Sequence, residues 1–284
     1  MRTRAAAAAV LVAAASAALS AQWGRFPTPG VPRAADGTPV LTGPPPRTAD
    51  GTLDLSGLWI RGDGQLGPAG GFTAPGPPPA FSPGPPASTF RNVAANMKGG
   101  LPLQPWAAEL QRRRDAENSK DNPDALCLPM GLMQFHNHGM PRRMVQARNV
   151  LVINYEANYG VRTLFTDGRP LPGADAQPWW YGYSTGRWEG DTLVVETAGF
   201  RDDGWLDIIG HPMTERARMI ERFRRPTFGT LEIDVTVDDP KAYTRPWTVR
   251  VNQRLLVDSE ILEFVCLENQ QFPPARTTRR PDAQ

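Results

Sequence analysis

The residues best suited to acid–base chemistry in this chain surround one of its three histidines. His211 follows Asp207 by four positions, so the two side chains would share a face on any helical turn there. A carboxylate beside a histidine fixes the imidazole tautomer and raises its basicity, which suits a general base near neutral pH. We predict that His211 is the base, Asp207 its orienting carboxylate, and Glu215 or Glu221 a second acid. The alternative is that Asp207 only caps a turn.

The other two histidines, His136 and His138, form a His-x-His pair. With a distant third histidine they could supply three nitrogen ligands to a divalent metal and leave one coordination position open. The alternative is a pair of loop histidines with ordinary hydrogen bonds. The chain has no phosphate-cradling glycine loop and no dinucleotide fingerprint. We therefore expect chemistry without a cofactor, and a divalent metal is the alternative that stays open.

The elements that must position these residues are mainly β-strands. The run from Leu231 to Asp238 alternates apolar and polar residues, as a strand with one dry face does, and Glu189-Gly190 is a hairpin signal. The stretch 214–225 could also be an amphipathic helix, and Pro105 to Asn118 is a predicted helix. We expect an antiparallel up-and-down, lipocalin-like barrel of about eight strands, at 143–155, 159–166, 180–187, 191–198, 216–225, 230–238, 246–256 and 260–267.

Chain reversal at each short turn would bring the longer connections together at one end of the barrel, the mouth. These connections are 126–142, 167–179, 199–215 and 239–245, and they contain all three histidines. Aromatic residues flank the same mouth and would line a pocket for an apolar or aromatic ligand, although core packing is the alternative for each. They are Trp179, Trp180, Tyr181, Tyr183 and Trp205.

The N-terminal segment 1–22 reads as an export signal, because Arg2 and Arg4 precede an alanine-rich run too short to span a bilayer. We expect a periplasmic or extracellular protein with no transmembrane anchor in its mature form. In such a compartment the two cysteines, Cys127 and Cys266, are expected to form a disulfide; the alternative is a catalytic thiol.

The remaining organisation follows from composition. Residues 23–100 are rich in proline and glycine and read as an arm with a short strand near 53–60, followed by a barrel domain over 101–270 and a disordered tail over 271–284. The chain has 31 Lys and Arg against 29 Asp and Glu, and losing Arg2 and Arg4 with the signal would balance them. This near neutrality argues against nucleic acid as a partner.

Several strings in the chain, taken together, resemble a large group of exported bacterial proteins of unassigned function. They span roughly residues 53–270 and include DLSGLW from Asp54, GRWEGDTLVVET from Gly186, WLD from Trp205, ERFRR from Glu221 and DDPKAYT from Asp238. The resemblance implies export and brings no known activity or catalytic residue with it. More loosely, the Gly57-Leu58-Trp59 string and the expected meander are similar to lipocalin-like (calycin) barrels, a likeness of fold alone.

The sequence thus favours an exported small-molecule enzyme that works by histidine–carboxylate acid–base chemistry at a barrel mouth. A lyase, an isomerase or a hydrolase acting on an apolar or aromatic substrate would fit this pattern. The alternative is a periplasmic, lipocalin-like carrier of an apolar or aromatic ligand, without catalysis. An envelope interaction protein that uses the proline-rich arm is less favoured, because the arm has no clear Pro-x-x-P register with flanking charge.

Overall fold

A computed structural model describes residues 27–62, 79–173 and 175–266. The expected signal and the expected disordered tail lie outside these ranges. Within them the chain is mainly β, as predicted, and nine strands close into a barrel. The described residues form eleven strands in all. They are β1 (Gly57–Arg61), β2 (Arg142–Ala147), β3 (Val150–Tyr155), β4 (Val161–Phe165), β5 (Tyr183–Glu189), β6 (Thr192–Ala198), β7 (Gly204–Trp205), β8 (Pro212–Met213), β9 (Arg218–Thr227), β10 (Thr230–Asp238) and β11 (Trp247–Leu255). Strands β7 and β8 lie outside the barrel.

Strands that follow one another in the chain are also neighbours in the barrel. The order is β1-β2-β3-β4-β5-β6-β9-β10-β11, and β11 pairs with β1 to close the wall, while β7 and β8 form a separate two-stranded ribbon. Every pairing in the barrel is antiparallel except that of β4 with β5. The connection 166–182 causes this exception, because it returns along the barrel before β5 begins. The expected up-and-down meander is therefore interrupted once.

Two expected strands differ from those in the structure, and one helix alternative is excluded. The stretch 143–155 is not one strand, because the chain reverses between Ala147 and Val150 to give the β2–β3 hairpin. The alternative of a helix over 214–225 is wrong, because β9 alternates buried and exposed residues along most of its length. The described residues from 260 onward form no strand. The barrel is closed instead by β1, which lies within the segment assigned to the arm.

Most of the longer connections nevertheless gather at one end, where β2 begins, and we keep the name mouth for it. The connection 167–179, expected at the mouth, is the exception, because β4 ends at the opposite end and the chain must return to the mouth before β5. The unexpected hairpin adds one reversal of chain direction, and the parallel β4–β5 pair removes one. These two departures from the expected meander offset each other. The connections 199–217 and 239–246 therefore lie at the mouth, as expected. The turn 156–160 also lies at the mouth, although it was expected at the opposite end.

Two helices precede β2, namely α1 (Pro105–Ala116) and α2 (Leu132–Asn137). Helix α1 begins with Pro105 as predicted, and all six residues of α2 are buried. Arg142 of β2 and Gln253 of β11 both donate hydrogen bonds to the carbonyl of His136, and Phe135 stacks on Tyr155 of β3 with 4.5 Å between ring centroids. Helix α2 therefore lies across the barrel mouth, in contact with strands β2, β3 and β11 of its wall.

The described parts of the proline-rich arm are tied to the barrel at several points, and Leu53, Leu55 and Val93 join its hydrophobic core. Arg47 holds Asp191 of the β5–β6 turn through two hydrogen bonds of 2.8 and 2.7 Å. The expected disulfide is confirmed, because Cys127 and Cys266 are bonded across 139 positions of sequence with a Cα–Cα distance of 5.7 Å. In the described part of the chain, no helix combines the length and the apolar character needed to cross a bilayer.

Candidate functional site

Asp207 and His211 lie in the loop of the β7–β8 ribbon, at the barrel mouth. Asp207 is fully buried and His211 is 5% exposed. One carboxylate oxygen, Oδ1, accepts the backbone N–H groups of Gly210 and His211, each at 3.1 Å. The other, Oδ2, accepts the N–H of Val93 at 2.9 Å and lies 2.6 Å from His211 Nδ1. The spacing of four residues thus brings the pair together, as predicted, through a tight loop.

These bonds determine the protonation pattern of the imidazole. Asp207 already accepts three N–H groups, so it is held as an acceptor, and His211 Nδ1 must carry the proton that they share. The other ring nitrogen, Nε2, has no hydrogen-bond partner among the described residues. A neutral imidazole in this state offers Nε2 as a proton acceptor, and Asp207 would stabilise the imidazolium that forms.

A cleft of about 360 Å³ adjoins the same loop. Its wall includes Arg114 of α1 and Pro212, the residue after His211. Arg114 Nη1 donates a hydrogen bond of 3.0 Å to the carbonyl of Gly210, the residue before His211. The guanidinium of Arg114 also lies 4.1 Å from the ring centroid of Trp205, and burial lowers the pKa of Arg114 to about 10. The cleft wall thus holds the charged residues Arg114, Lys241 and Asp202 and the apolar residues Trp106 and Leu110. His211 is outside this lining and is linked to it through its neighbours Gly210 and Pro212.

Glu215 does not join this pair. Its carboxylate lies on the surface, 3.0 Å from the Lys241 ammonium, and Lys241 also contacts Asp202 at 3.3 Å. The hydrogen bond with Asp202, followed by that from Lys241, lowers the pKa of Glu215 to about 2. An exposed, ionised carboxylate held by a lysine is not placed to act as an acid with His211, so this sequence-based assignment needs correction.

Glu221 does not join the pair either, because it points into the barrel and binds His136. Glu221 Oε1 lies 2.7 Å from His136 Nε2 and 2.9 Å from Arg162 Nη1, and Arg162 also contacts the second oxygen. Arg162 further donates to hydroxyl groups at 3.1 and 2.9 Å. We call this set the Glu221 cluster; its members are His136, Arg162, Ser184, Thr197 and Glu221.

The charges of the Glu221 cluster stabilise one another in the buried interior of the barrel. Burial alone would raise the pKa of Glu221, but the Arg162 guanidinium and the hydrogen bonds lower it to about 2. Burial lowers the pKa of His136, and Arg162 acts in the same direction. His136 is therefore neutral and donates through Nε2 to the carboxylate. The side chains of His136, Arg162 and Glu221 are at most 2% exposed, so the cluster has no direct access to a substrate.

The three histidines are not assembled as metal ligands. His138 Nδ1 accepts the backbone N–H of Met140 at 3.0 Å, and the other histidines face separate carboxylates. In the described ranges no group of three or more His, Cys, Asp or Glu side chains is placed to hold an ion. Burial, with help from Arg142, lowers the pKa of His138 to about 4, which fits a packed neutral ring.

The predicted aromatic lining is dispersed over several environments and does not form one pocket. Trp205 lies under Arg114, and Trp180 lies under Arg201 at 4.5 Å. The other three serve in ring packing. Tyr181 meets Phe135 edge-on at 5.2 Å, Trp179 lies 5.4 Å from Tyr183, and Tyr183 stacks on Phe165. Of the five, only Trp205 contacts the wall of the cleft near His211 through Arg114.

Sequence reasoning overlooked two features of this end of the barrel. The string from Gly182 to Gly186 reads Gly-x-Ser-x-Gly, the spacing of a hydrolase nucleophile elbow. That motif needs a sharp strand-to-helix turn, whereas Ser184 lies within β5, is 1% exposed, and shares its hydroxyl with Arg162 and Thr197. It is therefore part of the Glu221 cluster and is not an elbow. The second overlooked residue is Arg162 itself.

The fold and the site together define a closed, mainly β barrel with a histidine–carboxylate pair in a loop at its mouth. We compared the chain with models of protein families, with curated proteins and with solved structures, and nothing matches it in any of the three comparisons.

Proposed function

We propose that this protein is an exported enzyme that performs cofactor-independent acid–base chemistry on a small molecule at the barrel mouth, as a lyase, an isomerase or a hydrolase. The observation that carries the proposal is the 2.6 Å contact between His211 Nδ1 and Asp207 Oδ2, which leaves Nε2 without a partner among the described residues. His211 is the base, and Asp207 orients the ring and stabilises its protonated form.

The contacts around the pair favour a catalytic role for it. Three backbone N–H groups fix the carboxylate of Asp207 in one position, so the imidazole is held at a defined angle before any substrate arrives. The adjoining cleft supplies a cation, Arg114, for a negatively charged group of the substrate or of its reaction intermediate. The hydrophobic side chains of Trp106 and Leu110 in the same wall suit an apolar or aromatic body.

The alternative proposal, a lipocalin-like carrier, has less support at the mouth. A carrier needs an apolar interior that a ligand can enter, whereas helix α2 crosses the mouth with all six residues buried, and the Glu221 cluster lies beside it. Export, and membership of the exported group that the sequence resembles, stay part of the proposal. The Cys127–Cys266 disulfide supports export, because disulfides persist in oxidising compartments.

The test is a comparison of substrate depletion by the protein and by His211→Asn. The asparagine amide takes the place of Nδ1 and can still donate to Asp207, but it has no equivalent of Nε2. Both proteins are incubated with a soluble small-molecule extract of bacterial cells, and untargeted mass spectrometry records which compounds disappear and which appear. Arg216→Gln is the control, because Arg216 is exposed near the same loop and its side chain makes no contact with the pair.

The proposal requires at least one compound that the unchanged protein and Arg216→Gln both convert and that His211→Asn leaves intact. Equal conversion by all three proteins, or no conversion by any of them, contradicts it. A carrier gives a third pattern, in which a compound co-purifies with all three proteins and is never converted.

A further inference from the structure

The barrel wall opens at the end opposite the mouth, where β4 and β5 meet. Only two residue pairs join these strands, Leu164 with Ser184 and Phe165 with Thr185. Strand β4 ends there, while β5 continues to Glu189, paired on its other side with β6. Because the two strands run in parallel, no hairpin turn closes the gap between them. This seam leaves the last four residues of β5 without a partner on the β4 side within the described residues.

A cleft of about 480 Å³ occupies this seam, and we call it the seam cleft. Its floor is apolar and belongs to the barrel core: Leu151 and Leu193 are each 1% exposed, and Trp188 packs against the same core from a half-buried position. Sites for small ligands usually have volumes of about 300–1,000 Å³ and a mainly apolar lining. The seam cleft therefore has the size and the floor of a small-molecule site.

The polar groups around the seam cleft are mostly unused donors. In the described part of the chain, the Arg148 guanidinium, the Thr166 hydroxyl and the Trp188 indole N–H make no hydrogen bond. Gln146 differs, because its side-chain amide accepts the N–H of Leu55 and donates to the carbonyl of Leu53, both in the arm. The one acid in the wall is Asp50, at the rim, whose carboxylate accepts from Thr48 and from the N–H of Thr52.

We propose that the seam cleft is a binding site for a small amphipathic carboxylate. The apolar body of the ligand lies over Leu151 and Leu193, and its carboxylate pairs with the Arg148 guanidinium at the rim. An arginine is suited to this role because its planar fork matches both oxygens of a carboxylate. The Asp50 carboxylate repels the same anion and so limits its affinity. This site lies at the opposite end of the barrel from His211 and does not depend on the proposed catalysis.

Hexanoate and hexanol are suitable probes, because they share an apolar chain and differ in charge. The probes are titrated into the nitrogen-15-labelled full chain while the indole N–H signals are recorded, and Trp188→Phe identifies the signal of Trp188. We expect the Trp188 signal to move with both probes and hexanoate to bind about tenfold more tightly, as a charge-assisted contact implies. Arg148→Gln should reduce hexanoate affinity to that of hexanol.

Two further variants make the test specific. Asp50→Asn should tighten hexanoate binding by about threefold and leave hexanol unchanged, since it removes one repulsive charge at the rim. Arg245→Gln, at an exposed position in the connection 239–246, is the matched control and should change neither affinity. Equal binding of the two probes, unchanged hexanoate affinity in Arg148→Gln, or movement confined to other tryptophan signals would each overturn the proposal.

Discussion

Replacing Arg162 by methionine should reveal how strongly the barrel depends on the Glu221 cluster. Arg162 contacts both carboxylate oxygens of Glu221 and two hydroxyl groups, at full burial. Methionine fills part of the volume but leaves the Glu221 carboxylate in the dry interior with only His136 as a partner. Removing one member of a buried ion pair costs about 3–5 kcal/mol, a large share of the roughly 5–15 kcal/mol that stabilises a typical domain.

The matched double variant Arg162→Met, Glu221→Gln separates this effect from lost packing. It removes both charges, so no carboxylate stays buried without its cation, and the glutamine amide can still contact His136. We expect the double variant to recover about 2 kcal/mol or more relative to Arg162→Met alone. Urea unfolding, followed by circular dichroism with the disulfide intact, measures both free energies, and unchanged m values show that they are comparable.

The pH dependence gives an independent check with a defined sign. The pKa of Glu221 falls from its ordinary value of 4.5 to about 2 in the folded protein. Its contribution is therefore present above pH 4.5 and is lost as the pH falls toward 2, an effect of about 3 kcal/mol for a buried group. Glu221→Gln should lack this loss. A cost below about 1 kcal/mol for Arg162→Met, or simple additivity in the double variant, would refute this reasoning.

Three further predictions concern other parts of the fold. Replacing Cys127 and Cys266 together by serine should lower the unfolding free energy by about 4–5 kcal/mol, because the disulfide closes a long loop; a calorimetric Tm unchanged by reductant would contradict this. Gly210→Ala should cost at least about 1–2 kcal/mol in urea unfolding, since its φ is +89° and a Cβ would lie 2.6 Å from that of Arg114; an unchanged midpoint would count against it. The pKa of His138 falls from 6.5 to about 4, so unfolding free energy should decrease as the pH falls through this window, by about 3 kcal/mol, and His138→Gln should abolish that decrease.

The strands could be predicted from the sequence because most of them have one buried, apolar face. Strand β10 alternates buried and half-buried side chains over its second half, as its apolar–polar pattern indicated. The disulfide also followed from simple arguments about cysteine number and compartment. The parallel β4–β5 pair could not be predicted, because it depends on where the irregular connection 166–182 leads, and no periodicity encodes that path.

The Glu221 cluster was missed because Glu221 was assigned as a second acid for His211, and Arg162 was not considered. The alternation of side chains along β9 and β4 itself indicated that these two charges are buried. Glu221 shares its face of β9 with Met219 and Phe223, and Arg162 shares its face of β4 with Leu164. A charge of each sign on an apolar face predicts a buried ion pair, since neither charge could be buried alone. Their pairing required the closed barrel, which brings strands distant in sequence into one interior.

The tautomers of the three histidines provide the most direct test of the proposed acid–base site. Long-range nitrogen-15 NMR at neutral pH distinguishes a ring protonated at Nδ1 from one protonated at Nε2. His136 donates through Nε2, and His138 accepts at Nδ1, so both should be Nε2–H tautomers. Only His211 should be an Nδ1–H tautomer, with Nε2 unprotonated and able to accept a proton. A proton on Nε2 of neutral His211 would contradict its assignment as the base, whereas the two-to-one pattern is the result that the structure predicts.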